Sequence, residues 1–168
     1  VVLRDAVLVY LQKVGRHEFS DLEAGEHARL VTATGELEGM AAAISRDLAP
    51  LVAEFETAKI VLSKETAELL ERLLQAIEES ARSALHALVE RDEQAAQAVL
   101  AKRGEIAGLT AEVQQLQAAR LAQDDPDRFT KHRLQIELLD RLRRIYSVSE
   151  HMAISVLPRS LLAGDLYS

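Results

Sequence analysis

Between Leu30 and Phe55 an apolar or small residue returns at alternating steps of four and three: Leu30, Thr34, Leu37, Ala41, Ile44, Leu48, Leu51 and Phe55. Side chains at that spacing fall on one face of an α-helix, whereas a strand, with its period of two, would scatter them over both faces. The spacing predicts one helix over about 21–58, roughly 55 Å long. Such a rod with one apolar face is stable only against other helices. Pro50 lies inside it, and its missing N–H removes the bond to Arg46, which predicts a kink or a break.

The rest of the chain reads the same way. Leu3, Val7, Tyr10, Leu11 and Val14 form a short stripe that stops at Gly15. Ser20 is an N-cap with Glu23 as its capping-box partner, and Phe19 stands at the staple position opposite Ala24. Ser63 caps a helix through Leu70, Leu73, Ile77, Ala84 and Leu88, whose stripe passes the small Ala81. A break is expected near Arg91 and Asp92. Val99, Ile106, Leu109, Val113 and Leu116 carry the next stripe to about Leu121. Asp125-Pro126 supplies an N-cap and an N1 proline. The last stripe runs Leu134, Leu138, Leu142, Ile145, Ser149, Met152, Val156 and ends before Pro158. The tail LLAGDLYS either covers the bundle end or frays.

These are five helices, mostly long, joined by short loops. The expected fold is all-α, an elongated antiparallel bundle in one domain over 1–168. A free coiled coil is the competing reading, but several stripes are wider than a strict seam. Glycine (7), proline (3) and aromatic residues are scarce, and no β-branched run is bounded by turn residues, so a sheet has little support. VVLRDAVLVYLQKV is already in helical register at Val1, from which we expect a longer parent protein.

Lys and Arg number 20 against 27 Asp and Glu, a formal charge of -7, which argues against nucleic acid as a partner. There is no cysteine, so disulfides and thiolate sites are excluded. No run approaches the 18 or so uninterrupted apolar residues of a membrane span.

Signs of chemistry are few. No Glu-x-x-His or His-Glu-x-x-His occurs, and the pairs Glu23 with His27 and His86 with Glu90 read as solvated i,i+4 neighbours. His17 and His132 are expected at the surface. No local arrangement suggests an activated serine, and no glycine-rich loop suggests a phosphate cradle. Gly35 with Gly39, and Gly104 with Gly108, sit inside helical pattern, where each costs roughly 1 kcal/mol relative to alanine and is explained by close helix packing. We therefore expect no enzyme activity and no cofactor. Asp127–Arg159 holds seven Lys or Arg against four Asp or Glu, a local surplus of three positive charges on an acidic chain. Within it Arg143 and Arg144 flank Leu142 and Ile145, so their stems can cover apolar surface while the charges meet a partner or an anion. Salt bridges to neighbouring acidic helices are the plainer expectation.

The last helix, HRLQIELLDRLRRIYSVSEHMAISVLP, resembles the closing helix of the PhoU-like domain that follows the membrane region in bacterial sodium/phosphate cotransporter-family proteins. LSKETAELLERLLQAIEESARSALHAL followed by VERDEQAAQAVLAKRGEI is similar to that family's long helix pair, and ELEGMAAAISRDL to the helix before it. The resemblance spans about residues 3–158 and rests on spacing and helix order. It implies that 1–58 is the end of a first three-helix repeat and 63–158 a second repeat. Free-standing PhoU proteins carry Glu-x-x-x-Asp on the third helix of each repeat to gather metal. Here those positions are Glu38 and Ala42, then Arg143 and Ser147, so one carboxylate of four remains and the resemblance implies no metal site. The Leu-Arg-Arg-Ile form resembles the cotransporter branch. It implies a cytoplasmic regulatory or scaffolding domain at the plasma membrane, contacting the membrane-spanning portion of its own polypeptide and, in a homodimer, a second copy. A stand-alone PhoU-type adaptor of phosphate uptake and signalling is the alternative. The expected contact surface is Leu3, Val7 and Leu11, and Arg143 and Arg144 are expected to serve a partner contact rather than to hold free phosphate.

Overall fold

A computed structural model describes residues 2–15, 20–121 and 128–158. Among them the protein is all-helical and forms five rods. These are α1 (Val2–Val14), a rod made of α2 (Asp21–Ala42), a π-helical turn (Ala43–Leu48) and α3 (Ala49–Thr57), then α4 (Lys64–Glu90), a rod made of α5 (Glu93–Ala101) and α6 (Arg103–Leu121), and α7 (Arg128–Val156). His17, Phe19, Asp125-Pro126 and the LLAGDLYS tail lie outside the described residues, as does the side chain of Leu3.

The helix starts are set by short polar side chains. Ser20 accepts from the Glu23 N–H while the Glu23 carboxylate accepts from the Ser20 N–H, a closed capping box. Ser63 caps α4 through the Thr66 N–H. α4 ends where Arg91 takes a left-handed conformation (φ 58°, ψ 37°). Asp92 then opens α5 by accepting from the N–H groups of Gln94 and Ala95 at 2.9 and 3.0 Å. The expected break at Arg91-Asp92 is thus a sharp reversal. A second interruption, at Lys102, divides α5 from α6. Lys102 reaches Glu79 of α4 and Glu105 of α6, each at 3.0 Å, and so ties the joint to its neighbour.

Pro50 does not break its rod, which is helical without interruption from Asp21 to Thr57. The turn before it widens instead: the Ala49 N–H bonds to the carbonyl of Ile44, five residues back, within the π-helical stretch. The wider turn accommodates a residue that lacks a donor and crowds the carbonyl four residues before it. It also acts as one extra residue, which rotates everything beyond by about 100°. Burial follows that rotation. Leu30, Leu37 and Ile44 are 40%, 42% and 46% exposed, whereas Leu51, the next in the heptad series, is 5% exposed and Leu48 packs against the core. The expected single stripe is therefore two half-stripes, one outward and one inward. Ala33, Met40 and Ala43 bury the first half of the rod in place of the expected leucines.

The core is shared by α4, the α5–α6 rod and α7, with the α2–α3 rod on one flank. Leu70, Leu73, Ile77, Ala84 and Leu88 of α4 are all buried, as are Val99, Ile106, Leu109 and Val113 of α5–α6 and Leu134, Leu142, Ile145, Ser149 and Met152 of α7. Burying a leucine completely contributes about 1.5–3 kcal/mol, so these stripes carry the fold. On α6 the stripe drifts at its end: Gln117 is buried while Leu116 is half-buried. Ion pairs fix the direction of α2–α3 against α7. Arg144 meets Asp47 at 3.0 Å and Arg133 meets Glu54, later residues of one helix facing earlier ones of the other, so the two run antiparallel. α1 lies antiparallel to α2: Arg4 pairs with Glu38, and the carbonyl of Leu11 faces His27.

Gly35, Gly39, Gly104 and Gly108 do not serve close packing among the described residues. A side chain at Gly35, Gly104 or Gly108 would meet nothing within 4 Å, and one at Gly39 would make an ordinary contact with Val148. The crowded position is Gly15, where a Cβ would stand 3.2 Å from the Leu11 carbonyl oxygen and 3.3 Å from His27 Nε2.

Candidate functional site

His27 and Glu23 are not a solvated pair. Glu23 is committed to the capping box, and His27 is half-buried with Nε2 2.7 Å from the carbonyl oxygen of Leu11. A carbonyl only accepts, so Nε2 carries the proton and donates. That bond holds the C-terminal turn of α1 to α2. His86 faces Asp92 at 3.4 Å, across the α4–α5 reversal, rather than Glu90. His132, expected at the surface, is half-buried with Nδ1 shielded and unbonded.

The four positions suggested for metal do not converge. Both oxygens of Glu38 accept from Arg4 Nη1, at 2.7 and 2.8 Å, on the α1 side of α2. Ala42 closes α2 and offers no ligand atom. Arg143 and Ser147 line a groove against α6 instead. Among the described residues no three His, Asp or Glu side chains gather as a metal would require.

Two other carboxylates are strongly held. Glu26 accepts from Arg29 and from Arg91, joining α2 to the end of α4, while Arg29 also donates to the Leu88 carbonyl at 3.2 Å. The hydrogen bond from Arg29, reinforced by Arg91, pulls its pKa down to about 2. Asp92 is lowered chiefly by the Ala95 N–H, which favours the charged acceptor. Both carboxylates make structural pairs, and Glu26, Arg29 and Arg91 also line a shallow concavity of about 400 Å³ with Glu93, Ser155 and Val156.

A concavity lies between α6 and α7, about 690 Å³ in volume. Arg103, Ala107, Ala111 and Gln114 form one wall; Asp140, Arg143, Arg144, Ser147 and Glu150 form the other. Its floor is internally satisfied. Thr110 donates to the Ile106 carbonyl at 2.7 Å, and Tyr146 donates to the Val99 carbonyl at 3.0 Å. Burial, together with the negative charge of Glu150, raises the Tyr146 pKa well above the ordinary phenol range. Arg103 pairs with Glu150 at 2.8 Å and Arg144 with Asp47, as the acidic-neighbour expectation held for the second of the two arginines. Arg143 is exposed and makes no hydrogen bond or ion pair among the described residues.

The expected contact surface on α1 is also redrawn. Leu11 is 6% exposed and Val7 half-buried, both spent inside the chain, while Val9 and Tyr10 face outward. Among the large apolar residues left exposed, Leu30, Leu37 and Ile44 recur at heptad spacing. Sequence reasoning found these three but assigned them to the core, because no local signal marked the π-turn as an added residue. Of the groove, the sequence singled out Arg143 and Arg144 on α7 but not the α6 wall, where the hint was Ala107 and Ala111, small residues beside the apolar stripe.

Among the described residues the fold is an all-helical bundle whose surface offers helix faces and a groove. Among the described residues no helix is long and apolar enough to cross a membrane. Compared with models of known families, with curated proteins and with solved structures, the chain finds no match.

Proposed function

We propose that this chain is a regulatory or scaffolding domain of PhoU type, belonging to a membrane protein that resembles sodium-dependent phosphate transporters and standing at the cytoplasmic face of the membrane. It works by helix contacts and not by catalysis, and it holds no metal or cofactor. The observation that carries this reading is the outward half-stripe. Leu30, Leu37 and Ile44, with Thr34 and Ala41 between them, give α2 and its π-helical turn an apolar heptad face that the described residues leave exposed. Such a face is costly in water and suits a helix of the membrane-attached portion or of a second copy. The helix order quoted above adds the family resemblance.

The test is the reading frame upstream of Val1. Successive apolar segments of about 20 residues there support the proposal. Their absence refutes it, and a further three-helix repeat without such segments points to the stand-alone adaptor.

A further inference from the structure

We infer that the groove between α6 and α7 seats a partner helix that sets a carboxylate against Arg143. Its shape is the first argument. Arg103 and Gln114 are eleven residues apart on one helix, so the lining extends about 16 Å. A helix about 10 Å wide and half-sunk over that length displaces roughly 650 Å³, close to the volume of the groove. Ala107 and Ala111 keep one wall low and Ser147 the other, which lets a backbone approach to helix-packing distance.

The chemistry of the lining favours the same occupant. A small free anion needs several donors converging on one point. Here Arg103 and Arg144 already hold carboxylates, and the hydroxyls of Thr110 and Tyr146 donate to backbone carbonyls. Those satisfied hydroxyls lose nothing when covered by an apolar surface. Arg143 is the arginine of this lining that holds no carboxylate among the described residues, and covering the groove would bury its stem. Asp140, one turn earlier on α7, repels a second acid at that end, so the partner's carboxylate belongs on the Ser147 side of Arg143. The surface is distinct from the half-stripe on α2, and its success or failure leaves that reading untouched.

The test uses fluorescent synthetic helices about three turns long, with an alanine and leucine face and one central Glu, Gln or Lys. Binding to the whole chain is followed by anisotropy. The Glu helix should saturate and bind roughly five-fold or more tightly than the Gln helix, with Lys weakest. Arg143→Glu should reverse that order. Ala111→Trp, or Ser147→Phe from the opposite wall, should abolish binding while the far-ultraviolet CD and melting of the chain stay unchanged. Millimolar inorganic phosphate should not compete. An order of affinities indifferent to Arg143→Glu, binding that survives both blocked walls, or saturable phosphate binding lost in Arg143→Ala each overturns the inference.

Discussion

Leu37 and Leu51 are two heptads apart on one rod, so an uninterrupted α-helix would place them on nearly the same face and give them similar energetic roles. The π-turn at Ala43–Leu48 separates them: Leu37 is 42% exposed and Leu51 5%. Leu51→Ala removes a buried side chain and leaves a cavity, an expected loss of about 3 kcal/mol. Leu37→Ala gives up only the buried part of a side chain worth about 1.5–3 kcal/mol, an expected loss of about 1 kcal/mol that the better helix propensity of alanine partly offsets. Urea unfolding followed by far-ultraviolet CD measures both. The midpoints should differ while the slope with denaturant stays common to both variants, since the compactness of neither end state is altered. Equal losses for the two variants would refute the rotation argument. So would a larger loss for Leu37→Ala, which would return the outward stripe to the core.

Four further outcomes follow from single groups. Gln117→Leu should raise stability by about 1 kcal/mol, or about 2–4 °C in melting temperature, because the buried Nε2 of Gln117 has no partner; an unchanged or lower melting point contradicts this. Ultraviolet titration of the tyrosines should show a late phase above the ordinary phenol range that disappears in Tyr146→Phe. Acid should destabilise the fold through Glu26: its folded pKa of about 2 lies below the ordinary 4.5, so its contribution is complete above that range and fades as pH falls from about 4.5 towards 2. Glu26→Gln should therefore flatten part of the acid limb of a melting-against-pH curve. Elemental analysis after purification without added metal should find iron, zinc and manganese far below one equivalent.

The all-helical bundle was legible because the stripes of α4 and α7 are wide, regular and uninterrupted, and because Ser20, Glu23 and Ser63 mark helix starts by chemistry that acts within one turn. What escaped was everything that depends on rotation about a helix axis. Pro50 announced a disturbance, yet a kink, a break and a π-turn all answer the same missing N–H, and only the surroundings choose among them. The choice decides which side of α2–α3 faces α7. His27 was misassigned for a related reason: its i,i+4 neighbour Glu23 is visible in sequence, whereas its true partner, the Leu11 carbonyl, arrives through the packing of α1 on α2.

The same distinction separates Arg143 from Arg144. Adjacent residues on a helix point about 100° apart, so two arginines that form one basic element in the sequence serve two surfaces in the fold. Arg144 turns towards α2–α3 and is neutralised by Asp47, joining the flanking rod to the bundle. Arg143 turns towards α6 and keeps its charge at the edge of the groove. A partner that binds at Arg143 therefore acts one residue away from the contact that holds the rod carrying the open Leu30, Leu37 and Ile44 face. Displacing α7 by a fraction of a turn would strain the Arg144–Asp47 pair, a route by which the groove would bear on the half-stripe. Arg144→Ala leaves the groove wall at Arg143 in place but cuts the tie. It should loosen α2–α3, seen as faster amide exchange in residues 43–57 with little change in α4. Unchanged exchange there would mean that the two surfaces work independently.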